Sequence, residues 1–382
     1  MINHIRPKPI ITCDSELSKL YKRLGDTRFP SGETAQGWDQ GPPLEWMQRL
    51  HDYWLNQYDW RRTEEALKQA GSFAATIGDE EVHFLHIRAP EKARRAIIMT
   101  HGWPGSILEF LDTAERLSNP CQYGRSRDEA FDVVIPAPPG FGFSSAPKTD
   151  WSIQQTAKAW AALMEALGYS EYYAQGGDWG SAITIALAQQ DPDHCKAIHL
   201  NALWIDPVNF VPGELTEAEI SDLTKLQNFT STQTSYAQLQ THKPQKIGYA
   251  LADSPIALAA WIMDIYWTGV AHDGALEAQV PFDKLIDAVM MYWIPNAGAS
   301  SARFYWKNYT PLDYSIVETP AGFSRFPGEI LSVSRRLTEK RLTNLIYWNE
   351  PQDGGHFAAL EQPALFAEEV FEFARVTEQS QS

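Results

Sequence analysis

An aspartate occupies the centre of the run Gly176-Gly177-Asp178-Trp179-Gly180-Ser181. An apolar strand pattern, Tyr172 to Gln175, leads into it, and a helical pattern over 179–190 leads out. A strand that turns sharply into a helix presents the residue at the bend, and small residues on either side let the two elements close up. Gly176 and Gly180 meet that need. A serine displacing a leaving group from saturated carbon would end as an ether that water cannot readily cleave. A carboxylate ends as an ester, which water can cleave, and it needs no base to ionise it at neutral pH. Asp178 therefore points to attack on an epoxide, an alkyl halide or a related electrophile. A plain glycine-rich turn with Asp178 capping the next helix explains the same residues, so the decision falls to its partners.

Three further segments supply them. His101-Gly102-Trp103-Pro104-Gly105-Ser106 follows an apolar strand at 96–100. The backbone N–H groups of Trp103 and Trp179 are then expected to form an oxyanion hole. His101 reads as a structural histidine bonding the loop backbone, and Trp103-Pro104 suits a cis bond. Gly354-Gly355-His356-Phe357 lies between the last strand and the last helix, where a general base belongs in the chain order nucleophile, acid, base. His356 needs an acid to fix its tautomer. Glu329 in Phe326-Pro327-Gly328-Glu329 and Asp206 after the strand near Ala197 both qualify. Opening an epoxide also requires a donor for the alkoxide, and tyrosine, with a pKa of about 10, suits the task. Tyr236, Tyr249, Tyr266, Tyr292 and Tyr305 are candidates that spacing does not separate.

The elements that must carry these residues alternate. Strands are expected at 74–77, 82–87, 96–100, 131–136, 172–175, 196–200, 314–319 and 345–348, with helices at 152–167, 179–190 and 362–374. Short apolar strands between helices mean a mostly parallel sheet covered on both faces. The first eighty residues read as helical: Leu17, Leu20, Tyr21 and Leu24 follow the cap candidates Asp14 and Ser15. Between about 203 and 310 helical segments dominate. The division expected is a helical N-terminal extension (1–80), an α/β core (81–204 and 311–382) and an inserted helical cap (205–310).

Composition narrows the function classes. Lys+Arg 32 against Asp+Glu 48 leaves a net charge of −16, which phosphate backbones repel, so nucleic acid is excluded as a partner. Cys13, Cys121 and Cys195 are odd in number and lack metal-ligand spacing, which fits reduced thiols and no metal. No other cofactor is called for. The first residues lack the apolar stretch of a secretory signal, and no run reaches the roughly 18 apolar residues of a membrane span. A soluble, cytoplasmic chain without a membrane anchor is expected.

The motifs taken together resemble the microsomal-type epoxide hydrolases. Asp26-Thr27-Arg28-Phe29-Pro30, Gly37-Trp38 and Tyr53-Trp54 resemble that family's N-terminal domain. The loop 101–106, the elbow 177–180 and Gly354-Gly355-His356-Phe357-Ala358-Ala359 resemble its core motifs. The resemblance implies an α/β-hydrolase fold with Glu329, not Asp206, as the acid. It also implies Tyr236, ahead of Thr241-His242-Lys243-Pro244, and Tyr305, in Ser301-Ala302-Arg303-Phe304-Tyr305, as the donors to the epoxide oxygen. Membrane-bound members begin with an anchor helix that has no counterpart here.

Expected partners are water and a small apolar epoxide, with Trp103, Trp179 and Phe357 against the substrate; a homodimer is compatible with the sequence. Two alternatives stand beside this reading. A haloalkane dehalogenase would use the same Asp178, and halide release without diol formation would identify it. A non-catalytic binding protein of the same fold would bind ligand without turnover, although such proteins usually lose part of the triad.

Overall fold

The computed structural model describes residues 2–380 apart from 92 and 212. Nine strands form one sheet: β1 (Ile2–Pro7), β2 (Ser72–Ile77), β3 (Glu80–Ile87), β4 (Arg95–Thr100), β5 (Phe131–Pro136), β6 (Tyr172–Gly176), β7 (Cys195–Leu200), β8 (Ala321–Ser324) and β9 (Leu345–Asn349). Their spatial order is β1-β2-β3-β5-β4-β6-β7-β8-β9. Pairing is antiparallel from β1 through β3 to β5, and parallel from there to β9. Central strands such as β4 and β6 are buried along nearly their whole length, as a sheet covered on both faces requires.

Three helices, α1 (Asp14–Gly25), α2 (Leu44–Asn56) and α3 (Trp60–Gln69), precede β2. Next come α4 (Leu111–Ser118), α5 (Ile153–Ala166) and α6 (Trp179–Gln190), interleaved with the strands. Between β7 and β8 the chain is helical: α7 (Glu217–Thr232), α8 (Ser235–His242), α9 (Pro244–Asp253), α10 (Pro255–Gly269), α11 (Leu276–Gln279), α12 (Phe282–Trp293) and α13 (Gly298–Asn308). α14 (Arg335–Arg341), α15 (Ala358–Glu361) and α16 (Pro363–Ser380) complete the fold.

The N-terminal helices brace this helical segment. Asp287 of α12 accepts from Tyr58 (2.7 Å) and Arg62 (2.8 Å), while Trp38 stacks on Trp267 at 4.4 Å. α7 is tied to the sheet side by charge. Glu219 pairs with Arg336 at 2.6 Å, and Asp222 with Arg325 at 2.7 Å. The Arg336 guanidinium, with further hydrogen bonds, overcomes burial and holds the Glu219 carboxyl down at about 2. Among the described residues no helix is long and apolar enough to cross a membrane.

Three details depart from the sequence expectation. The strand expected over 314–319 is a loop in which Val317 makes a single bridge to Leu342; the strand itself is β8. Arg341 holds the loop in place: its guanidinium takes the Ser315 carbonyl within it and those of Asp313 and Trp204 beside it. β1 is an additional edge strand whose polar sequence, with Pro7 at its end, carries no alternating pattern. The cap of α1 falls on Cys13, with Asp14 inside the first turn, where its charge meets the positive end of the helix.

Candidate active site

β6 runs into α6 through Asp178, whose φ of 49° and ψ of −131° place a non-glycine residue in left-handed space. The turn closes because its flanks have no side chain. A Cβ on Gly176 would come within 2.2 Å of the Gly180 carbonyl oxygen, and one on Gly180 within 1.9 Å of that of Thr100. The strain thus rests on a rigid strand–helix junction, with Trp160 hydrogen-bonded across to Thr100 at 3.1 Å.

The loop after β4 receives the Asp178 side chain. The Trp103 N–H donates to Asp178 Oδ1 at 2.9 Å, and the Trp179 N–H also donates to this carboxylate. The Trp103-Pro104 bond is cis. His101 donates through Nδ1–H to the Gly102 carbonyl at 2.8 Å, and burial pulls its pKa down to about 4. It is a neutral, structural imidazole, as expected.

His356 approaches from the loop after β9. Its Nε2 lies 3.7 Å from Asp178 Oδ2, and its Nδ1 is 2.9 Å from Glu329 Oε1. Glu329 is almost wholly buried and also accepts from the Leu331 N–H at 2.9 Å. Asp206 is elsewhere, accepting from the Val208 N–H. Burial opposes a charge on His356. The Glu329 charge and hydrogen bond, with the charge of Asp178, outweigh it and raise the imidazole to about 9. Burial also raises Asp178, against the pull of His356 and the two tryptophan N–H groups. At neutral pH an imidazolium therefore faces Asp178.

Two cavities meet at this pair. The larger, about 360 Å³, is lined by Trp103, Asp178, Trp179, Tyr236, Tyr305 and His356 at its inner end and by Leu223, Leu226 and Phe229 of α7. Tyr236 stacks on Trp103 at 5.0 Å, and Tyr305 meets Trp179 edge-on at 5.0 Å. The two tyrosine rings lie 6.0 Å apart. Burial raises both hydroxyls, and the Asp178 charge adds to it, so each stays a donor. The other candidates are placed differently. Tyr249 is exposed, Tyr292 donates to the Gly105 carbonyl at 2.7 Å, and Tyr266 stacks on Phe357 at 4.4 Å. Phe357 accordingly faces Tyr266 and lines the smaller cavity, not the apolar one.

Two carboxyls escaped the sequence reading. Glu361 accepts from the backbone N–H groups of Ala271 (2.8 Å), Gly355 (2.9 Å) and Phe357 (2.9 Å), so it fastens the His356 loop to the end of α10. Burial raises it to about 7 against those donors. Glu109 lines the smaller cavity. Its spacing from Ser106 reads as helix capping, and Ser106 does accept from the Leu108 N–H, which hides any other role. Among the described residues no group of His, Cys, Asp and Glu is arranged to hold a metal.

A strained carboxylate turn on a mostly parallel sheet, with a histidine–glutamate pair delivered from later loops, defines an α/β-hydrolase. The family profiles agree: the epoxide hydrolase N terminus matches residues 5–110, and the alpha/beta hydrolase fold matches 95–255. The chain is 42% identical to a candidate epoxide hydrolase of Stigmatella aurantiaca, covering 97% of this chain and 85% of that protein. It is 33% identical to epoxide hydrolase 1 of Sus scrofa, over 98% of this chain and 89% of that one. The crystal structure of juvenile hormone epoxide hydrolase from Bombyx mori superposes with a TM-score of 0.91 at 26% identity, covering 99% and 96% of the two chains. This chain belongs to the microsomal-type epoxide hydrolase family and is an enzyme of epoxide hydrolysis.

Proposed function

We propose that the protein converts an apolar epoxide to its vicinal diol through an alkyl ester on Asp178. The observation that carries this reading is the division of labour at the carboxylate. Oδ1 is held by the Trp103 N–H, while Oδ2 is the oxygen nearer His356. Oδ2 attacks a ring carbon, the C–O bond of the epoxide breaks, and Tyr236 and Tyr305 hold and protonate the alkoxide. Ester formation removes the Asp178 charge, and with it one of the influences that raise His356. The imidazole loses its proton and becomes a base at the moment a base is needed. Water then attacks the Asp178 carboxyl carbon, the Trp103 and Trp179 N–H groups hold the oxyanion, and the acyl C–O bond breaks. One water proton passes through His356 to the released glycol and the other stays on His356, while the proton that the imidazolium shed earlier restores the tyrosine. Glu329 orients the ring and stabilises its cation.

The lining of the larger cavity supports an apolar substrate. The helical segment 205–310 serves as a lid that brings Tyr236 and Tyr305 over the core-borne carboxylate. The test is a single turnover with enzyme in excess in oxygen-18 water. The expected first diol is unlabelled and the label enters Asp178, because the added oxygen comes from the carboxylate. A fully labelled first diol would mean that water attacks the epoxide directly.

A further inference from the structure

The smaller cavity lies beside the same carboxylate, on the side of Glu109. It measures about 30 Å³ and is lined by Gly102, Gly105, Glu109, Gly177, Asp178, Asn201 and His356, among others. A cavity needs roughly 10–15 Å³ to hold a water and two to four polar groups to keep it. This one has both the room and the groups. The loop after β4 is cut away to make it. A Cβ on Gly102 would fall 2.0 Å from Asp178 Oδ1, and one on Gly105 would fall 2.8 Å from Glu109 Oε1. The two carboxyls thus lie against one glycine-bearing loop, both facing His356. Among the described residues, none hydrogen-bonds the Glu109 carboxyl. A part-buried carboxyl without a protein partner is costly unless something else satisfies it.

We propose that this cavity seats the water that cleaves the Asp178 ester, and that Glu109 orients it there through a neutral carboxyl. The substrate would then reach Asp178 from the larger cavity and the water from the smaller one. Neither has to displace the other between the two steps. Burial raises Glu109 to about 8, with His356 pulling it down and Asp178 pushing it up, so a carboxylic acid prevails at neutral pH. The neutral group offers one O–H donor and one carbonyl acceptor. The acceptor takes one water proton while His356 Nε2 takes the other, which points a lone pair at the Asp178 carboxyl carbon. Tyr266 and Tyr292, the other titratable groups that face Glu109, are held far above their usual range by burial and stay neutral.

This inference rests on the ester mechanism, so the experiment separates the two. Enzyme in excess is mixed with styrene oxide, quenched at intervals, and the Asp178 peptide is weighed for the added alkyl group. His356→Gln, run first, should trap the adduct; its absence would remove the ester reading itself. With the adduct seen, Glu109→Met should form it at the normal rate and lose it about 10²-fold more slowly, the scale on which a misplaced reactant is penalised. Glu109→Gln, which keeps a neutral donor and acceptor in the same shape, should recover at least about tenfold of that loss. The assignment is overturned if Glu109→Met leaves ester decay unchanged, if adduct formation falls in step with decay, or if Glu109→Gln is as slow as Glu109→Met.

Discussion

The two sides of Asp178 are built by different means. On the sheet side the carboxylate, imidazole and acid hang from loops at the ends of β6, β9 and β8 respectively, and each is pinned by backbone hydrogen bonds. The Trp103 N–H fixes Asp178, the His356 N–H donates to Gly269 at 2.7 Å, and Glu361 gathers three more N–H groups around the His356 loop. On the helical side Tyr236 and Tyr305 come from α8 and α13 and are placed chiefly by aromatic packing against Trp103 and Trp179. Hydrogen bonds fix direction, whereas ring stacking tolerates small sliding. The sheet side therefore suits steps that need one geometry, and the helical side suits holding an oxygen whose position varies with the substrate.

If this contrast is right, substitutions on the two sides should separate the chemical steps. The largest effect belongs to His356→Gln. Ester should still form, and its decay should slow by about 10⁴-fold, the upper range for a lost general base; rapid-quench mass measurement would show the adduct persisting. A variant that forms no adduct would remove the ester reading, and the contrast with it. On the other side, Tyr236→Phe with Tyr305→Phe should slow ring opening by about 10³-fold while leaving no adduct to collect, since a lost donor to a developing oxyanion costs on that order. Each single change should cost only about tenfold, because either hydroxyl can partly serve for the other. Glu329→Gln falls between, with ester decay slowed by about 10²-fold and adduct formation spared. If Asp206→Asn gave that result instead, the acid would be misassigned.

The mildest test is pH. Glu329, Asp178, Glu109 and Glu361 all face His356, and the charges of Glu329 and Asp178 hold its pKa near 9 against burial before the ester forms. With Asp178 esterified the value falls below that. As pH drops through it, the imidazole is protonated and the base is lost. Ester decay should then slow about tenfold per pH unit while ring opening holds, so the adduct should accumulate on the acid side. Decay that quickens as pH falls would contradict a neutral His356 as the base.

The same contrast decides what the sequence reveals. The elbow and the His356 loop stand out because unusual residue types lie beside glycines in one short stretch, between recognisable strand and helix. Tyr236 and Tyr305 do not, since a tyrosine aimed at a substrate and one aimed at a core have the same neighbours along the chain; only the family resemblance picked them out. Phe357 was expected at the substrate because it adjoins His356, yet adjacent residues on a loop point apart. Glu109 and Glu361 are invisible for a further reason. Each looks like a helix-terminal carboxylate, and its importance comes from segments that folding brings together. β8 was misplaced because its Ala-Gly-Phe-Ser sequence has little strand propensity, and its position is set by pairing with β7 and β9.

The ties that hold α7 have a bearing on salt. This helix contributes Leu223, Leu226 and Phe229 to the wall of the apolar cavity, and its first turns are fastened by Glu219–Arg336 and Asp222–Arg325. Any swing of α7 that widens the cavity has to part those pairs. Arg336 is half exposed, so counterions reach that pair and weaken it as ionic strength rises. The charges at Asp178 and His356 are enclosed and feel the same ions far less. Raising the salt concentration should consequently speed the exchange of bulky epoxides and diols past the α7 wall, while the bond-making steps behind it keep their pace.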